Sequence, residues 1–224
     1  ARFLEATFLR LHRLRPGTWV IRPLEYAKGE SGKKPELAKK KSIAEFSQYR
    51  HLQELAELAK SSRSLQAALG SDYLISPDVV IFREPEPDES INVEEVIVSK
   101  TVARLTNLRS LNSQLPILHA SISCKWTIRS DRAQNARSEG LNLVKNRKGK
   151  LPHVVAITAE PLPSRIASLA LGTGEVDCLY HFALPELQCA ARRLQDETAE
   201  ELLCSMVAGD RLKDIADLPI DLCI

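Results

Sequence analysis

The segment "HVVAITAE" (153–160) limits the architecture more than any other stretch. Its apolar residues run almost without interruption, as they do in a strand buried on both faces. Such a strand needs cover above and below, and the surrounding sequence supplies it. The reading along the chain alternates strands with helices, which points to an α/β fold: a central mixed sheet flanked by helices.

The pieces are read as follows. "RFLEATFLRLHRL" places Phe3, Leu4, Phe8, Leu11 and Leu14 at helical spacing, and Pro16-Gly17 ends that helix. "TWVIRPL" reads as a short edge strand. Ser42 with Glu45 has the form of a capping box, opening one helix through about Leu58, and a second short helix is expected over 64–69. "SPDVVIFRE" is a strand with proline at its start, where a missing N–H costs least. "ILHASISCKWTI" is a long strand, followed by a helix over 131–145 capped by Ser130 or Asp131. "LPSRIASLALG" is a short helix, "VDCLYHF" a strand, and 184–215 two amphipathic helices. No repeat or low-complexity linker divides the chain, so one domain over 1–224 is expected. The first residue is Ala1, not methionine, so an upstream segment is expected to be missing.

Composition excludes several classes. No apolar run reaches the roughly 18–20 residues that span a bilayer. Arginines among the first apolar residues argue against a signal peptide. Five cysteines without a Cys-x-x-Cys pair suit free thiols in a reducing, cytoplasmic setting and indicate no zinc site. The net charge of +2 hides segregation: residues 28–41 and 125–150 are rich in basic residues, whereas 83–95 are acidic. Segregated charge permits a positive cleft on a nearly neutral protein.

Lys125 resists a purely structural account. Residues two apart in a strand share a face, so Ser123 and Lys125 point together and Cys124 points away. An unpaired ammonium is expensive to bury, although at a strand end it can snorkel outward. Asp78 follows Pro77 at the start of another strand; turn chemistry alone accounts for many such pairs. Were the two strands neighbours, a carboxylate and an ammonium would face one cleft. Glu139, fourteen residues past Lys125 and one to two turns into the next helix, can fold back to the same place. Two carboxylates and a lysine suit phosphodiester hydrolysis with Mg²⁺, a hard cation that takes oxygen ligands. Beyond Lys125 stand Arg129, Asp131 and Arg132. Arginine can donate twice to guanine and aspartate can accept from cytosine, so these side chains suit G·C pairs in a major groove.

The stretch "SCKWTIRSDRAQN", with the upstream "PD" strand, the downstream "PSRIASLALGTGEVDCLYHF" and the early "FLEATFLRLHRLRPGTW", resembles the NgoMIV-type restriction endonucleases. These are relatives of the nucleases with a Pro-Asp…(Asp/Glu)-x-Lys site. The resemblance implies a type II restriction endonuclease cutting palindromic double-stranded DNA with a CCGG core, expected as GCCGGC, and using Mg²⁺. It implies a homodimer or homotetramer. Residue by residue, it makes Asp78 and Glu139 metal-binding acids, with the Cys124 backbone a further ligand, and Lys125 the catalytic lysine. It makes Arg129, Asp131 and Arg132 base readers and Arg165 a further DNA contact. The family has one more glutamate from its N-terminal helical region, for which Glu5 is the nearest candidate. The alternatives are a sequence-specific DNA-binding module of the same fold that no longer cuts, a structure-selective nuclease, and a protein that does not bind DNA.

Overall fold

The computed structural model describes residues 1–24, 42–61, 64, 75–172 and 174–224. The basic run at 28–41 and most of the short helix expected at 64–69 lie outside the described residues. Among the described residues six strands form one sheet in chain order: β1 (Trp19–Pro23), β2 (Val79–Arg83), β3 (Ile117–Lys125), β4 (His153–Thr158), β5 (Cys178–His181) and β6 (Leu212–Asp214). β1, β2 and β3 pair antiparallel, and β3 through β6 pair parallel. β3 is therefore the seam between the two halves. The helices are α1 (Arg2–Thr7), α2 (Arg50–Lys60), α3 (Asp88–Ile91), α4 (Ser130–Asn146), α5 (Pro163–Ala170), α6 (Leu184–Leu194), α7 (Glu197–Ala208) and α8 (Leu218–Asp221). None of the described helices is long and apolar enough to cross a membrane. No disulfide joins the cysteines.

β4 behaves as its composition demands. Val155 enters a core with Leu4 and Phe8 near α1, with Leu218 of α8 and with Leu222 just beyond it. Ala156 enters the opposite core with Ala133 and Ala136 of α4, Ile166 of α5 and Leu203 of α7. A third cluster joins Val154, Val80, Phe82 and Leu118 to Phe46, Tyr49, Leu52 and Leu143. Helices thus cover both sheet faces, and the shared core is what holds the strand ends in place.

Three local expectations are corrected. The helix expected from Ser42 to about Leu58 is split. Ser42 Oγ accepts from the Ala44 N–H and opens only a short 3-10 turn, Ile43–Glu45, after which Phe46 is extended. Tertiary burial outweighs the helical pattern here. Phe46 packs against Phe82 with ring centroids 5.3 Å apart and the rings tilted by 49°, and the Gln48 side chain bonds both the N–H and the carbonyl of Leu118. The second correction is β6, which falls inside the region read as two helices. Three residues are too short a run to show a period, and Leu212 is fixed by its pairing with Leu179. The third concerns α4, which starts at Ser130 with Arg129 at the N-cap and no side-chain cap from Ser130 or Asp131.

The acidic segment after β2 is more ordered than a solvated loop. Arg109, 2 % exposed, clamps it from inside. Its guanidinium binds Asp88 of α3 through two hydrogen bonds and donates to the carbonyls of Ser99, Val102 and Ala103 at 3.0–3.2 Å.

Candidate active site and nucleic-acid interface

β2 and β3 are neighbours, and their antiparallel register pairs Val79 with Ile122. The next residue back, Asp78, therefore meets the end of β3. Its main-chain carbonyl extends the β1–β2 pairing by accepting from the Leu24 N–H at 3.1 Å. Its side-chain Oδ2 accepts from the Cys124 N–H at 2.6 Å and from Lys125 Nζ at 3.2 Å. The ammonium that was costly to bury alone is paired, and both side chains remain partly exposed at the open end of the sheet.

Glu139 joins this pair from α4. It is the tenth residue of that helix, about two and a half turns in and deeper than the sequence spacing suggested. Burial pushes its carboxyl above the ordinary carboxylate range. The Lys125 ammonium opposes that shift, the Asp78 charge adds to it, and the Ser123 hydroxyl opposes it. All three groups face one field. The Ser123 hydroxyl looks toward the carboxylate but makes no hydrogen bond of ordinary geometry with any described residue. Gly140, beside Glu139, brings α4 against the backbone of Glu175 so closely that a Cβ would overlap it.

The donor chemistry fits Mg²⁺. Two carboxylates and one ammonium leave excess negative charge at an exposed strand end, and Mg²⁺ is commonly held by one or two carboxylates with water and phosphate oxygens completing its shell. The Cys124 backbone adjoins Asp78 through the 2.6 Å bond from its N–H. Glu5, the candidate for a further acid, belongs to the first helix. It stands exposed on α1, and the described residues contain no cluster of three or more acidic, histidine or cysteine ligands.

The segment from Lys125 to α4 is built as a short rigid bridge. Trp126 accepts from the Ala159 N–H at 3.2 Å through its carbonyl. Ile128 is buried, and its N–H donates to Glu160 Oε2 at 2.7 Å. Glu160 is itself buried. Its Oε1 accepts from the Leu162 N–H at 3.2 Å, and its Oε2 lies 3.7 Å from Arg165. Sequence reading missed Glu160; the available signal was an acid closing an apolar strand just before Pro161. Beyond the bridge, Arg129, Asp131 and Arg132 are exposed around the start of α4. Arg132 Nη1 donates to Thr127 Oγ1 at 3.0 Å and to the Thr127 carbonyl at 3.3 Å. Arg165 lies on α5 with its side chain about half exposed. Lys145, Lys148 and Lys150 stand at or beyond the other end of α4, a helix length of about 25 Å from these residues.

An acid and a lysine set side by side where a mixed sheet opens, with α4 carrying a second acid behind them, belong to the restriction-endonuclease class of nuclease folds. Comparison with known proteins narrows the class. The NgoMIV restriction enzyme family model matches residues 1–224, and the chain belongs to that family. It is 52 % identical over 222 residues to the type II restriction enzyme NgoMIV of Neisseria gonorrhoeae, an alignment covering 99 % of this chain and 74 % of that protein. The chain is a type II restriction endonuclease, a site-specific deoxyribonuclease.

Proposed function

We propose that the enzyme hydrolyses phosphodiester bonds in palindromic double-stranded DNA with a CCGG core, as GCCGGC, and depends on Mg²⁺. The observation that carries the catalytic part is the 3.2 Å contact between Asp78 and Lys125 beside the raised Glu139 carboxyl. Asp78, Glu139 and the Cys124 backbone would hold the metal. When bound, Mg²⁺ polarises the phosphate and makes its water acidic enough to attack at neutral pH.

The protein's own groups do the rest. Asp78 fixes the Lys125 ammonium through Oδ2. Lys125 orients the attacking water in line with phosphorus and offsets phosphate charge, giving a 5′-phosphate and a 3′-hydroxyl. Burial raises the Glu139 carboxyl, so protons would compete with a metal there and metal binding would weaken as pH falls. Arg129, Asp131 and Arg132 read the G·C pairs of the core, and Arg165 adds a contact from α5. A helix start with no side-chain cap leaves N–H groups that favour a phosphate oxygen. A homodimer, or a tetramer of two dimers, matches protein two-fold symmetry to the palindrome, as other dimers match half-sites. The enzyme works in the cytoplasm, where its thiols stay reduced.

Plasmid cleavage with and without Mg²⁺, followed by sequencing of the cut ends, tests the activity, the site and the cut position together. Lys125→Ala is expected to abolish cutting and leave specific binding intact. Persistent cutting, or loss of binding along with cutting, removes the role given to Lys125.

A further inference from the structure

Two serines interrupt the apolar run of β3 at alternate positions, Ser121 and Ser123, and both are buried. Alternation sends them to one face of the sheet. There Glu139 and Gly140 of α4, with Val154 and Ala156 of β4, close a recess around them. The recess offers about 10 Å³, close to the room one water needs. Ser123 is 8 % exposed, and its Oγ is sealed from solvent without a hydrogen-bond partner among the described residues. A sealed, unpaired hydroxyl is expensive, and packing alone does not ask for serine here. The Glu139 carboxylate lines the same recess and interacts with the Ser123 hydroxyl, which still lacks a hydrogen bond of ordinary geometry. A sealed polar group left without a well-aligned partner is commonly completed by an ordered water.

We propose that Ser123 is a positioning residue for Glu139: one buried water, held by Ser121 and Ser123, hydrogen-bonds the Glu139 carboxylate and fixes its direction. The proposal rests on the reading of Glu139 as a metal ligand. Three polar neighbours meet the two to four that a buried water requires. Ligating carboxylates are themselves hydrogen-bonded from outside, and those outer partners govern how tightly the metal is held. Ser123 thereby acts on Mg²⁺ affinity without touching metal or DNA. It also gives β3 a reason to carry a hydroxyl at the position where the commoner nuclease motif carries an acid.

The test compares the wild type, Ser123→Ala, Glu139→Gln and the double variant. Mg²⁺ binding to the DNA-free protein is measured by calorimetry, beside the Mg²⁺ dependence of single-turnover cleavage. Ser123→Ala is expected to weaken Mg²⁺ binding and raise the half-saturating Mg²⁺ concentration by on the order of 10-fold. The rate at saturating Mg²⁺ falls much less. On the Glu139→Gln background the serine change adds nothing, because the group it positions has lost its charge. An unchanged Mg²⁺ requirement in Ser123→Ala overturns the proposal, as does an equal loss with and without the Glu139 carboxylate. So does a high-resolution crystal structure with no water density among Ser121, Ser123 and Glu139. If Glu139→Gln leaves Mg²⁺ binding untouched, the ligand reading itself fails.

Discussion

Gly140→Ala is a small change with a large expected effect on the chemistry. In an open helix the substitution stabilises by about 1 kcal/mol, because alanine gives up less backbone freedom than glycine. Gly140 is buried, and its missing Cβ is the space that the Glu175 backbone occupies. A Cβ there would stand 3.0 Å from the Glu175 carbonyl carbon, closer still to its oxygen, and 3.3 Å from Val154 Cγ1. Carbon pairs prefer about 3.5–4.0 Å and the oxygen is nearer still, so α4 and the Glu175 strand lead-in must part by on the order of 1 Å. Overpacking of this kind costs about 1–3 kcal/mol, and the gain in helix propensity offsets only part of it. The melting temperature should fall by a few degrees, at about 2–4 °C per kcal/mol for a domain of this size. The larger consequence is for Glu139, which rides on the displaced turn. On the proposed reading of Glu139 as a metal ligand, a shift of about 1 Å costs on the order of 100-fold in rate. Single-turnover cleavage well below the melting temperature separates displacement from unfolding. A variant that melts higher than the wild type and cuts at full rate would refute the argument.

Other perturbations separate reading, bridging and folding. Arg129→Ala should cost about 1–3 kcal/mol of discrimination at one base pair, measured by competition binding against single-substitution duplexes; an unchanged preference removes Arg129 as a base reader. Glu160→Gln turns one of two acceptor oxygens into a donor facing an N–H, and should cost about 1–3 kcal/mol while loosening the bridge to Arg129. Its DNA affinity and selectivity should drop more than its Mg²⁺ affinity, as calorimetry and cleavage titrations would show. Burial lowers the pKa of His119 from 6.5 to about 3, against the pull of its hydrogen bond with the Leu222 carbonyl and with the Arg15 charge assisting. Its contribution to stability is therefore full above pH 6.5 and is lost as pH falls from 6.5 toward about 3. Denaturant melts should lose up to about 1.4 kcal/mol per pH unit in that window. His119→Gln, which keeps a donor for Leu222, should flatten the slope; an identical slope assigns the acid sensitivity elsewhere.

The sequence made some elements plain and hid others, for physical reasons. β4 announced itself because both its faces are buried and no polar residue breaks the run. Lys125 was conspicuous because an ammonium is out of place in an apolar strand, and Asp78 proves to be its partner in space. Glu139 was placed on the right helix and too near its start. What stayed hidden depends on distant partners. The Arg109 clamp is made of a carboxylate twenty-one residues away and carbonyls six to ten residues away, none of which leaves a local pattern. Glu160 looks like a surface acid until the fold brings the Ile128 N–H to it. Phe46 and Gln48 sit within a helical pattern but serve the sheet, so the pattern misled. The resemblance gave the roles of Glu139 and Arg165, which spacing alone does not assign.

The bridge between Lys125 and Arg129 has a consequence for how such an enzyme changes its taste. Three residues join the end of β3 to the N-cap of α4, and both flanks are anchored, by Asp78 on one side and Glu160 on the other. On the proposed reading this makes a molecular ruler: the offset between the bases inspected and the bond broken is built into the backbone. New side chains at 129, 131 and 132 can alter which letters are accepted, yet the blade stays at the same graduation. Insertions between 126 and 128 would instead move the mark itself.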